Sequence, residues 1–100
     1  MILFGFLKGI VADEDIIIEP FEKYQNYHNS LQKEDILSHM ESLEKCLTGG
    51  KSTDQFTGEK IDHGMLYDGD FGFPLEFIHY FKNYDIGIPP EYEAYLKTIL

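Results

Sequence analysis

From Leu31 onward the apolar residues Ile36, Leu37, Met40, Leu43 and Leu47 recur at near-helical spacing, with Ser30 where an N-cap belongs and Gly49-Gly50 as a stop. The pattern predicts a helix over 31–47, with Cys46 late on its amphipathic face. Pro74 opens PLEFIHYFKNY, in which Leu75, Phe77, Ile78 and Phe81 line one side and Gly87 supplies the stop. Ile88-Pro89-Pro90 leads stiffly into EYEAYLKTIL, where Tyr92, Tyr95, Leu96 and Ile99 are spaced for another amphipathic helix. Proline is tolerated in a first turn, so Pro20 can open PFEKYQNYH as a short helix that turns Phe21 and Tyr24 inward, flanked by Tyr27 and His28, and ends near Asn29.

The remaining stretches carry weaker periodicity. The apolar opening MILFGFLKGIV reads as core, and the acidic Asp13-Glu14-Asp15 and the β-branched Ile16-Ile17-Ile18 follow it. Periodicity leaves helix or strand open across residues 1–18. Gly49 to Gly64 is polar, with a turn signal at Thr57-Gly58-Glu59, and reads as a long surface loop. In MLYDGDFGF, Asp68-Gly69 between apolar residues is a hairpin signal, which Gly72 and the short arms weaken toward an ordered turn. The expectation is a mainly α, single-domain helical bundle over 1–100, with at most a short β-hairpin near 65–73.

Composition narrows the partners more than the fold. One hundred residues, 43% hydrophobic and 15% aromatic, suffice for one aromatic core. Against 18 acidic side chains stand 8 lysines and no arginine, a formal charge of −10. Such a chain repels phosphate backbones and anionic membranes, so direct nucleic-acid or membrane binding is excluded. Its field favours a basic protein, whose encounter it accelerates about 10- to 1000-fold at low salt. The single Cys46 forms no internal disulfide, and Gly5, Lys8 and Gly9 interrupt the apolar start, which is expected to be core rather than a signal peptide. A cytoplasmic location is expected.

Candidate chemistry is sparse. Counting an EF-hand loop from Asp68 places Phe73 where glycine is needed and His79 where glutamate is needed. Cys46 stands alone, and His28, His39, His63 and His79 show no paired zinc-ligand spacing. Gly49-Gly50-Lys51-Ser52 lacks the strand and glycine spacing of a phosphate loop, and Cys46 has no activating cations around it beyond Lys45. No catalytic residue, metal or cofactor is expected, and the chain does not read as an enzyme. What remains is acid interleaved with tyrosine: Asp62, His63, Tyr67, Asp68 and Asp70, with Tyr84 and Asp85 after the third helix. Tyrosine supplies rigid contact area and carboxylates accept Lys or Arg, so these residues suit protein recognition.

The segments GIVADEDIIIEPFEKY and LYDGDFGFPLEFIHYFKNYDIGIPPEYEAYL resemble the immunity proteins of bacterial contact-dependent growth-inhibition systems. The resemblance implies a small, acidic, cytoplasmic protein that binds a cognate toxin domain, often a nuclease, and masks its active site or substrate groove. Colicin-type nuclease immunity proteins are similar in size and acidity, but their pair of adjacent tyrosines is absent, Tyr67 standing alone before Asp68. Only a recognition role therefore carries over, to Tyr67, Asp68 and Asp70. Two other readings share the composition: an acidic adaptor or regulatory domain for another basic protein, and a small acid-using or metal-dependent hydrolase. The hydrolase requires acids converging in one concave pocket.

Overall fold

The computed structural model describes residues 1–100. Strand β1 (Ile2–Leu3) precedes a long irregular stretch and helices α1 (Phe21–Gln25) and α2 (Lys33–Glu41). Strands β2 (Lys51–Thr53), β3 (Lys60–Asp62), β4 (Met65–Asp68) and β5 (Phe71–Pro74) follow, then helices α3 (Glu76–Asn83) and α4 (Pro90–Ile99). With 32% helix, 19% strand and two sheets, this is a mixed α/β domain and not the mainly α bundle that the periodicities predict. One sheet has the order β1-β5-β4, with β1 parallel and β4 antiparallel to β5; the other is the antiparallel pair β2-β3.

The correction lies in the middle of the chain. The polar stretch expected as a loop contains the β2-β3 hairpin, with Lys51 opposite Asp62 and Thr53 opposite Lys60. The helix expected over 31–47 spans only Lys33–Glu41. Ser30 does not cap it, because its amide and hydroxyl both donate to the Glu93 carboxylate on α4. Beyond Ser42 the backbone of Cys46 exchanges hydrogen bonds with Met65, at 2.8 and 2.7 Å, on the outer edge of β4. Unpaired strand amides there demand partners, and that tertiary demand overrides the favourable helix propensity of Leu43, Glu44, Lys45 and Leu47. Cys46 is therefore half-buried in a bridge, not on a helix face. Pro74 likewise closes β5 rather than opening α3, at a point where β1 has already ended.

The turn at Asp68-Gly69 joins β4 to β5 through the loop Gly69-Asp70, with Asp68 opposite Phe71. Positive φ falls on the first loop residue alone, Gly69 at +59°, as in hairpins with glycine in that place. A side chain there would also meet the Tyr95 ring, at 2.8 Å from Cζ.

Period-2 alternation gives the three-stranded sheet two different faces. Leu66, Phe71 and Phe73 point into the core, where Phe71 meets Tyr92 (ring centroids 5.2 Å apart) and Phe73 meets Phe77 (6.3 Å). Phe4, Phe6, Leu7 and Ile10 of the N-terminal stretch are buried with them, as the core reading of that stretch expects, whereas Met1, Ile2, Leu3 and Val11 are exposed. Four carboxylates, of Asp54, Asp68, Glu76 and Glu93, are buried too, and each accepts hydrogen bonds from named donors. No helix is long and apolar enough to cross a membrane.

Candidate functional site

The second face of the sheet is the floor of a groove. Met65 and Tyr67 alternate onto it from β4, and Met1 and Leu3 reach it from the β1 side. Between them Gly72 of β5 carries no side chain; a Cβ there would lie 2.9 Å from Leu3 Cδ2 and 3.2 Å from both Met1 Sδ and Tyr67 Cδ1. Glycine thus keeps the floor open while the neighbouring side chains close over it. The walls come from Leu47 and from the irregular segment Val11 to Ile16, and the cavity holds about 440 Å³. A second groove of about 490 Å³ shares Met1, Leu3, Phe6, Asp15 and Ile16 with it and continues along Ile17 and Ile18 to Pro20.

This surface is apolar where solvent reaches it. Leu47 is 74% exposed, Ile17 81%, Val11 49% and Tyr67 37%. Leu47 is also the one non-glycine residue with positive φ, at +49°. The left-handed region costs a branched L-residue roughly 1–2 kcal/mol, so a strained backbone is holding an apolar side chain out toward water. The carboxylates that line the groove, Asp13 and Asp15, are exposed and bonded to no other side chain.

One imidazole faces the same cavity. His63 lies between β3 and β4, and its Nδ1 is 2.7 Å from Oε2 of Glu76, in the first turn of α3. Glu76 has no solvent-exposed surface, and the buried Ser52 hydroxyl donates to the same carboxylate oxygen. In the neutral ring Nδ1–H donates to the carboxylate, which leaves Nε2 as an acceptor without a protein partner. The other two buried His–carboxylate pairs, His39–Asp68 (2.8 Å) and His79–Asp54 (2.7 Å), lie outside the groove lining.

The residues singled out from sequence do not form one cluster. His63 and Tyr67 meet in the groove. Asp62 is exposed beside them in sequence but pairs with Lys51 across the hairpin, which holds its carboxyl below the usual range. Asp68 points the other way, where it accepts from Tyr92 (2.7 Å) and Tyr95 (3.2 Å). Burial first, then the bond to Asp68, raises the Tyr92 phenol well above its ordinary value. Asp70 is exposed in the β4-β5 turn, and Asp85 is exposed on a cleft shared with Tyr27 and Lys33. Tyr84 donates to Asp54 at 2.8 Å. Burial, then that bond, pushes the Tyr84 phenol up to about 12. Burial also acts upward on Asp54 itself, but hydrogen bonds from His79, the Phe56 amide, Tyr84 and the Thr57 amide outweigh it and hold the carboxyl at about 2.

Sequence reasoning missed the apolar part of this surface: Met1, Leu3, Val11, Leu47 and Ile16 to Ile18, with Asp13 and Asp15. The available signal was an isoleucine run without helix or strand periodicity directly after an acidic triplet. No three His, Cys, Asp or Glu side chains converge as a metal site. No protein-family model, curated protein or solved structure matches the chain.

Proposed function

We propose that this chain is a cytoplasmic immunity protein that binds a cognate, basic toxin domain of the nuclease class and neutralises it by masking its active site or substrate groove. The observation that carries the reading is the double groove beneath Leu47 and Tyr67. Its apolar side chains stand in water, one of them on a strained backbone, and its unpaired charged side chains are the carboxylates of Asp13 and Asp15. Exposed apolar patches rimmed by polar groups mark sites of association. A net charge of −10 makes a basic surface the complementary one, and a nuclease presents such a surface where it holds phosphates. Carboxylates then stand in for phosphates, and the apolar floor supplies the contacts that resist dissociation.

Co-expression tests this reading in cells. The domain to test is the C-terminal domain of whatever protein the gene immediately upstream encodes, since an immunity gene normally adjoins its toxin gene. That domain alone should arrest growth, and the wild-type chain should restore it. A Leu47→Asp/Tyr67→Ala double variant, folded by circular dichroism, should fail to restore it. Arrest that the wild-type chain does not relieve contradicts the proposal.

A further inference from the structure

The charged side chains of the His63 cavity share one sign. Its lining includes no lysine, and its ionised side chains are the carboxylates of Asp13 and Asp15, which outnumber the single α-ammonium carried by Met1. Its part-buried imidazole offers Nε2 of His63, an acceptor in the neutral ring because Glu76 engages Nδ1. Nine of the twelve lining residues are hydrophobic. Around 440 Å³ lies within the range that holds a small ligand, roughly 300–1,000 Å³. A group that satisfies all of this has a long apolar stem and a donor-only cationic head. Anions meet two carboxylates and a lone pair, and a purely apolar group leaves Nε2 unpaired on desolvation.

We infer that this cavity receives one arginine or lysine side chain of the partner, stem against Leu3, Leu47 and Tyr67, head between His63 Nε2 and the Asp13 and Asp15 carboxylates. Arginine and lysine bury their methylenes on apolar surface while the charged tip stays paired or hydrated, and both are donors only. Glu76 acts as a positioning residue. It fixes the ring and the tautomer, and the Ser52 hydroxyl fixes Glu76 in turn. The inference rests on the groove as docking face and names the side chain that the face selects.

The probe is n-butylguanidinium, titrated into protein with labelled histidine rings and methyl groups and followed by NMR, with valerate and 1-pentanol as controls. So few atoms give a dissociation constant in about the millimolar range. The expected result is saturable shifts of the His63 ring nitrogens and the Leu3 and Leu47 methyls with the cation, and none of comparable size with valerate or pentanol. The exposed double variant Asp13→Asn/Asp15→Asn should weaken cation binding severalfold without disturbing the fold. His63→Phe should weaken it about tenfold, the cost of one hydrogen bond to a charged group. Equal response to valerate or pentanol, or no movement of these resonances, overturns the inference. Toxin binding without the butylguanidinium response removes this inference alone, whereas a response without toxin binding removes the immunity reading and leaves the cation pocket standing.

Discussion

Asp68 accepts from Tyr92, Tyr95 and His39 and is 7% exposed, so its charge belongs to the core and not to an approaching partner. Asp68→Ala should strand those donors and cost about 3 kcal/mol of stability in a urea titration, while leaving the salt dependence of partner association unchanged. An altered salt dependence with intact stability would return Asp68 to the surface. Leu47 makes the converse case. Asparagine tolerates positive φ, so Leu47→Asn should stabilise the fold by up to about 1 kcal/mol and at the same time weaken docking. A stabilised variant that binds as tightly as wild type would separate the strain from function. Asp54 sets a pH limit. Its folded value of about 2 lies below the ordinary 3.8, so the unfolded chain binds the proton more readily between them. The resulting stability, about 2 kcal/mol, is complete above roughly pH 5 and is lost as pH falls through about 2. The stability gap between wild type and Asp54→Asn should shrink accordingly from pH 6 to pH 2.5; a constant gap would contradict the assignment.

Elements whose local chemistry and burial agree were legible in the sequence. Pro90 begins α4 as a proline-started helix should, with Tyr92 and Leu96 buried, and Gly69 supplies the positive φ that the β4-β5 turn needs. The polar arms of β2 and β3 carry no apolar alternation, because Ser52 and Ile61 alone turn inward and Ser52 does so to bond Glu76. Such a hairpin is defined by long-range contacts that a local pattern does not contain. The same holds for residues 43–47, whose helical spacing loses to the pairing of Cys46 with Met65. Since the backbone of Cys46 makes that pairing and its thiol makes only a 3.8 Å contact to the Glu44 carbonyl, Cys46→Ser should change stability by less than about 1 kcal/mol and leave partner binding intact. Loss of binding by this variant with its fold preserved would place the thiol in the interface.

At the scale of the molecule, charge and size were readable directly, but the groove was not. Its residues come from positions 1–23, 47 and 63–67, which only the parallel pairing of β1 with β5 and the bridge at Cys46 bring together. Of the recognition residues picked from sequence, Tyr67 reaches it by alternating onto the outer face of β4 and His63 by its place just before that strand; Asp68, one residue further along β4, alternates into the core. The central claim is that this groove is the docking face for a basic toxin domain. The most direct measurement is calorimetric titration of the purified C-terminal domain of the protein encoded immediately upstream into the wild-type chain and the Leu47→Asp/Tyr67→Ala variant. The account predicts one-to-one binding by wild type, weakened about thirtyfold or more in the variant, as for the loss of a hot spot worth about 2 kcal/mol. Equal affinity for the two proteins, or none for wild type, would contradict it.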